Sequence, residues 1–562
     1  MILRRLLELS YRLPDLPPSG YQPAFITKII RLKADGTLRD VIPATGEKRG
    51  KREGLTVLAP RETPQRTSAD TPRLICDNAN YVLGRQREKD TPARTAERHR
   101  AFVELVGRCA DATGEPTVNA IRTWLSAGGA SDLRTSPVIE DDDELMFEVD
   151  GIRPVDLPAV QRFWAGYVGD YRQGRCLVTG KEGPIVDRMP FPIKGIPYGQ
   201  TSGTALVSVN NPAGCSYGLE AALNSPIGAD TAERASNALN YLLGSDRHAM
   251  RIGKSVFVYW TRTDSAFDLW DLLGKPSADQ VGHLIRSARL GLRSAQLDPN
   301  DFYVLSLSAN VSRVVVRDYQ ETTLQRVQYA LGTWFDRLAI VGQSGGRAEP
   351  VGLFRLSVAL YREPKDVPAH VPISLMRCAI TGAPLPNYLL GLAVKRNQAM
   401  QGPYDETNGK RYLSEPRLAL IKAIITQKED TPLEALNPSH PDPAYHCGRL
   451  LATLERIQRA ALGDINATVV DRYYGAACAS PGSILGGLVN DAQAHLGKLR
   501  KEKRDYYHQL QLEEILSAIG PEFPRTLSLH RQGLFALGFY HQKAHDRAQA
   551  AAAKAAKEGA SA

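Results

Sequence analysis

The sequence predicts an α+β fold, with a mixed α/β body over residues 1–436 followed by an all-α helical bundle over 437–562. Strand and helix patterns alternate as far as about residue 340, and the chain then turns mostly helical as far as about residue 426. Prolines then dot the stretch from Pro432 to Pro443, and from Tyr445 onwards the apolar spacing is helical almost without a break.

Taken in order, Leu3, Leu6, Leu7, Leu9 and Leu13 lay out a first helix, stopped by Pro14 and the turn Pro17-Pro18-Ser19-Gly20-Tyr21. Apolar runs from Ala24 to Lys33 and Leu38 to Ile42 flank Asp35-Gly36, a hairpin signal. Residues 74–84 read as a strand or short helix interrupted by polar residues. Helices are expected over 93–108 and 117–126. The stretch 174–217 has a turn at Thr179-Gly180, an extended approach broken by Pro184, Pro190, Pro192 and Pro197, and a strand from Ala205 to Val209. Further on come a helix over 231–243, a strand over 255–260, a helix over 279–291, paired strands over 302–308 and 311–318, and a helix over 322–340. Two more helices span 387–400 and 415–426. In the bundle, Leu450, Leu451, Leu454 and Ile457 form one core stripe. Leu496, Leu499, Tyr506, Leu510 and Ile515 form a second, and Leu527, Leu534, Leu537 and Tyr540 a third, with breaks at Pro481-Gly482 and Gly520-Pro521. The alanine-rich end from about 548 reads as a disordered tail.

Composition limits the function classes. Of 562 residues 43% are hydrophobic, enough for a large core. No apolar run approaches the ~18 residues that cross a bilayer, and the first helix is interrupted by Arg4 and Arg5, so the expected location is the cytoplasm, away from membranes. Seven scattered cysteines without a C-x-x-C argue against a disulfide framework or a zinc site. Charge points to a polyanion: the net charge is +9, and residues 1–109 hold 21 basic against 13 acidic side chains.

Two residue types then mark candidate contacts. Lys48, Arg49, Lys51 and Arg52 crowd a short loop suited to phosphates, and Lys498, Arg500, Lys501, Lys503 and Arg504 crowd a helix opposite its apolar stripe, suited to a single strand. Both sets read equally as solvated faces. Polar groups that can read base edges are Asn78 and Asn80 in the first half, and Gln200, Ser202, Asn210, Asn211, Ser216 and Tyr217 around the expected strand. The alternative for the asparagines is turn capping.

Motifs for catalysis are missing. Gly174 to Lys181 has five residues between its glycines where a phosphate loop needs four, and Glu182 replaces the hydroxyl for magnesium. Ile252-Gly253-Lys254-Ser255 has His248 where the leading glycine belongs. The acid run from Glu140 to Glu144 reads as a solvated loop, and His541 and His545, at i, i+4, as an exposed helix face. No metal, cofactor or catalytic residue is expected. The rival readings are a metal- or nucleotide-dependent nucleic-acid enzyme and a purely structural scaffold.

The ordered set MILRRLLELSYRL with PPSGY, CDNANYVLG with AERHRAF, SGTALVSVNNPAGCSYG, FYVLSLSANVSRVVVRDY and GRLLATLERIQRAALGDINATVVDRYYGAACASP resembles the large subunit of the type I-C CRISPR Cascade complex. One departure is Val209 and Gly214, where family members commonly carry aromatics. The resemblance implies a non-catalytic subunit that recognises the protospacer-adjacent motif in double-stranded target DNA, helps open it and stabilises the R-loop. Implied partners are a guide RNA ribonucleoprotein, the Cascade backbone subunits, the guide-processing subunit and a helicase-nuclease recruited after target binding. It further implies that the bundle, autonomous over about 445–547, also serves as a separate small subunit, although Met400 is the last methionine.

Overall fold

Thr27 decides how the first strands are laid out. The expected strand over 24–33 is two, β1 (Tyr21–Ile26) and β2 (Lys28–Leu32), because Thr27 between them turns its backbone and side chain elsewhere. Its N–H donates to the Glu144 carbonyl at 3.0 Å and its hydroxyl to the Asp143 carboxylate at 2.6 Å. The chain thereby changes sheets. β1 pairs with β5 (Arg52–Pro60), which pairs with β4 (Glu47–Arg49), while β2 lies between β3 (Leu38–Pro43) and β7 (Glu144–Val149), with β6 (Cys76–Asn78) on the far side of β7. Only β2 and β7 run parallel among these pairs. The computed structural model describes residues 1–13, 16–50, 52–61, 71–88, 90–167, 172–209, 211–215, 217–291, 300–399, 414–427, 433–463 and 465–559.

The packing divides the chain into two units, Met1–Lys194 with Thr201–Tyr241, and Gly195–Gln200 with Leu242–Ala562. In the first unit, α1 (Ile2–Ser10), α2 (Ala79–Leu83), α3 (Pro92–Thr113), α4 (Pro116–Ser126), α5 (Gly129–Arg134) and α6 (Pro158–Tyr167) accompany the sheets. α3 shows why sequence reading works there. Thr91 caps it, Pro92 starts it, and Phe102, Leu105, Val106 and Cys109 bury one face at i, i+3, i+4 and i+7. Trp164 of α6 donates its indole N–H to the Gly20 carbonyl at 2.9 Å, fixing the proline-rich turn. A hairpin of β8 (Arg172–Arg175) and β9 (Glu182–Ile185) turns at Thr179-Gly180 as expected, and α7 (Ala229–Gly244) closes the unit, its last turn crossing the division. Buried Glu233 of α7 accepts from Gly20 N–H at 2.7 Å.

The acid run is not simply a solvated loop. Asp141 pairs with Arg85, Asp142 with Arg52 and Glu144 with Arg73, while Asp143 is buried on Thr27. The strand expected over 205–209 does not form. Thr204 makes an isolated bridge to Ile193, and residues 206–209 are half-buried bend or irregular chain, because the proline-broken approach offers no continuous ladder of N–H groups to pair with.

The second unit begins with a four-stranded antiparallel sheet, in the order β10 (Ala249–Ile252), β11 (Ser255–Thr261), β12 (Asp301–Asn310), β13 (Arg313–Thr323). Its helices are α8 (Leu269–Gly274), α9 (Ala278–Gly291), α10 (Leu324–Leu338), α11 (Leu353–Val358), α12 (His370–Thr381), α13 (Asn387–Ala399) and α14 (Glu415–Ile425). They are followed by α15 (Pro443–Leu462), α16 (Val469–Ala479), α17 (Pro481–Lys501), α18 (Tyr506–Ile519) and α19 (Leu529–Gly559). The central crossing is α15 on α19, where a Cβ added at Gly448 would strike the Phe535 carbonyl and one at Gly538 the Tyr445 carbonyl. Glycine is what lets these backbones touch.

The expected boundary near 437 does not coincide with this division. Leu418, Ile421 and Ile425 of α14 are buried in the same apolar core as Leu450, Leu454, Leu534 and Leu537, so the C-terminal helices share their interior with the preceding part of the unit. Each fully buried leucine or isoleucine contributes roughly 1.5–3 kcal/mol. The tail expected from 548 is helical through Gly559, as alanine's propensity favours, and a Cβ on Gly345 would collide with Ala548. The second apolar stripe is broken: α17 ends at Lys501, Lys503 takes φ +58°, and Tyr506 and Leu510 are exposed rather than core.

Candidate nucleic-acid interface

The segment Glu47–Glu53 is a hairpin rather than a loop, with Lys48 opposite Glu53, Arg49 opposite Arg52 and Gly50 at φ +62° in the link. Lys48 is exposed and makes no ion pair among the described residues. Arg52 holds Asp142 at 2.5 Å, with both side chains more than half exposed, so water and salt screen the pair. Lys51 and the side chain of Arg49 lie outside the described residues.

Asn78 and Asn80 point inwards. Asn78 caps α2, its side chain accepting from Asn80 N–H at 3.1 Å. Asn80, 1% exposed, donates from Nδ2 to the Arg85 carbonyl at 2.8 Å and to Thr95 Oγ1 at 3.3 Å, and accepts from Arg98 at 3.0 Å. Of the two alternatives the sequence left for these amides, the hydrogen bonds here are internal: the Asn78 side chain caps α2, and that of Asn80 joins α2 to Thr95 and Arg98 of α3.

The later amides stand differently. Asn211 is exposed. Its Oδ1 accepts from Ala213 N–H at 3.1 Å in a one-turn 3-10 helix, and its Nδ2 has no partner among the described residues. Tyr217 is 99% exposed with φ +54°, a conformation disfavoured for a bulky side chain. Ser202 is exposed in the first unit, and Gln200 is exposed in the second. Asn210 and Ser216 lie outside the described residues. Below this segment Cys176 anchors the β8–β9 turn. Burial would raise its thiol pKa, but hydrogen bonds from Thr179 and the backbone N–H groups of Gly228, Thr179 and Val178 outweigh it and bring the thiol to about 7.

At the other candidate, Lys498, Arg500, Lys501, Lys503 and Arg504 are all exposed where α17 turns into α18. Arg500 pairs with Asp505 at 3.1 Å and Arg504 with Glu502 at 2.8 Å, whereas the three lysines have no ion pair among the described residues. Cations in a last helical turn also favour the helix dipole. Sequence reading missed that Tyr506, 73% exposed, joins this cluster: no Gly or Pro announces the break after Lys501.

His541 is not on an exposed face. It is fully buried, with Nδ1 2.9 Å from the Tyr445 hydroxyl, and burial pulls its pKa down to about 3. Among the described residues no group of three or more His, Cys, Asp or Glu side chains is placed to hold a metal, and no helix is long and apolar enough to cross a membrane.

The α+β chain thus carries a basic hairpin, an exposed amide segment and a basic helical turn. The family model described as CRISPR-associated protein (Cas_Csd1) matches residues 4–546, and the chain belongs to that family, a Cascade-type CRISPR-associated subunit. No curated protein matches it.

Proposed function

We propose that this chain is the large subunit of a type I-C Cascade complex. It recognises a short protospacer-adjacent motif in duplex DNA, helps open the target and stabilises the R-loop while guide RNA reads the remaining sequence. The observation that carries this reading is that Ser202, Asn211 and Tyr217 are exposed, uncharged and outside any regular strand or α-helix. Such groups can pair with base edges, and Gln200 extends the same stretch of chain. Lys48 and Arg52 supply phosphate contacts that position the duplex, and the α17–α18 cations supply them for a displaced strand. Asn78 and Asn80 support the body from inside. We further propose that the chain hydrolyses nothing itself, and that it assembles with guide RNA, backbone and guide-processing subunits before a helicase-nuclease is recruited. The C-terminal helices stand in this reading as the source of a small subunit.

The test is DNA binding by the assembled complex, on motif-bearing and motif-free duplexes, over a series of salt concentrations. Tighter binding to the motif-bearing duplex with a steep negative salt slope is expected. Equal affinity for the two duplexes would count against motif reading, and cleavage by the purified chain with magnesium would overturn the non-catalytic assignment.

A further inference from the structure

The loop Gly195–Gln200 packs by the β10–β11 hairpin within the second unit. Ile196, Pro197, Tyr198 and Gly199 form a turn closed by Gly199 N–H donating to the Ile196 carbonyl at 3.1 Å. Pro197 takes the first central position and Tyr198 the second, at φ +60°. Proline followed by a left-handed residue is the type II arrangement, whose second position is the natural place of glycine or asparagine. A tyrosine there is strained by its own Cβ. It gains little burial in return, since Tyr198 is 72% exposed.

The ring's neighbour is a cation. Lys254 Nζ lies 5.7 Å from the ring centroid, held at the end of a two-residue turn in which Gly253 has φ +57°. Arg251 ties the loop down, donating to the Leu243 carbonyl at 2.7 Å and more weakly to the Gly195 carbonyl at 3.4 Å. Neither Lys254 nor Arg251 is paired with a carboxylate among the described residues. The surface is therefore an exposed aromatic face beside two exposed cations, with Gln200 exposed two residues on.

We propose that Tyr198 and Lys254 form a stacking platform for an unpaired base of single-stranded nucleic acid, with Arg251 and Lys254 attracting its phosphates. Every base offers a π-face, so the platform holds a strand without selecting sequence. A protein partner would be expected to want apolar neighbours around the ring, and here the group set against the ring is the Lys254 ammonium. The proposal deepens the strand-stabilising part of the function above and rests on that reading.

The experiment measures fluorescence anisotropy of a labelled thymidine oligonucleotide with the full chain and with the variants Tyr198→Gly, Tyr198→Phe and Lys254→Ala. Tyr198→Gly keeps the turn and should bind about ten-fold more weakly, Tyr198→Phe should stay within about two-fold, and Lys254→Ala should lie between them. The melting temperature of Tyr198→Gly should equal or exceed that of the parent, because glycine suits the turn, a result a merely structural tyrosine would not give. Motif-bearing duplex binding by the assembled complex should be retained in Tyr198→Gly; loss of motif preference in the parent alone would instead sink the functional reading and leave the platform standing. The proposal is overturned if the parent does not bind the oligonucleotide, if Tyr198→Gly binds it as the parent does, or if Tyr198→Phe is as weak as Tyr198→Gly. It is overturned equally if Tyr198→Gly disrupts assembly with companion subunits while oligonucleotide affinity is kept.

Discussion

Two amide-bearing segments that look alike as sequence have opposite fates. In 76–84 the side chains of Asn78 and Asn80 are buried and hydrogen-bonded within the first unit, whereas in 200–217 Gln200, Asn211 and Tyr217 face solvent. The difference is local packing: α3 lies over the first segment and gives Asn80 its Thr95 and Arg98 partners, the chain just after α2 adds the Arg85 carbonyl, and the second segment never forms the strand that would have drawn its side chains into a sheet. An amide committed to the fold is a stability residue, and one left to water is a candidate reader. Residue type and loop composition do not separate the two.

The largest effect should come from breaking the committed side of this comparison. Asn80→Ala removes the acceptor of one Arg98 hydrogen bond and leaves the Arg85 carbonyl without its amide donor. A cost of about 3 kcal/mol is expected, because a buried group with a charged partner loses more than a neutral one. Urea denaturation of the full chain, followed in the transition that reports the first unit, measures it. A change below about 0.5 kcal/mol would place Asn80 with the uncommitted amides.

On the uncommitted side, Asn211→Ala should leave stability nearly unchanged and weaken motif-bearing DNA by about 1–3 kcal/mol, with little effect on motif-free DNA. Equal loss on both duplexes would mean that Asn211 acts through its 3-10 cap rather than through a base.

Legibility followed the same line. Helices whose apolar residues repeat every three or four positions, such as α3 and α15, were readable because the pattern that buries them is contained within one element. The change of sheet at Thr27 was not, since its cause is Asp143, 116 residues away in sequence. Nor was the end of α17, which lacks Gly or Pro and turns at Lys503 in a left-handed conformation, leaving Tyr506 outside a stripe that its spacing had placed in the core. Charge was legible as composition, but which cations are already paired depended on partners such as Asp142.

Two histidines repeat the comparison in the second unit. His541 and His545 share a helix at i, i+4, yet His541 is fully buried beside Tyr445 and His545 is only partly covered. Burial, followed by the positive charges of Lys422 and His440, holds the His541 pKa down to about 3, so the folded protein keeps it neutral. An unfolded histidine titrates near 6.5, and its stabilising contribution is complete above that pH and is lost as pH falls below it. Between pH 6.5 and 5.5 the loss should be roughly 1 kcal/mol, and His541→Gln should flatten that part of the stability profile relative to the parent. Parallel profiles would show that His541 is not the group responsible.

The smallest effect concerns the basic hairpin, where the contrast between committed and free side chains recurs between two cations four residues apart. Arg52 is held by Asp142 at 2.5 Å and Lys48 is not held by any carboxylate among the described residues. If both approach phosphates, Lys48→Ala should flatten the salt dependence of DNA binding by about 0.9 in the log–log slope, the amount for one released counterion. Arg52 must exchange Asp142 for phosphate, so its contribution to affinity is reduced by the pair it gives up. Asp142→Asn removes that competition without removing the cation, and should tighten binding to motif-bearing and motif-free duplexes alike by a factor of about 1.4–5, since an exposed pair is worth ~0.2–1 kcal/mol. The gain should fade at high salt, where the pair is already screened. Unchanged affinity and slope in both variants would remove the hairpin from the DNA-binding surface, and tightening confined to motif-bearing DNA would make Arg52 a reader of bases rather than a holder of phosphates.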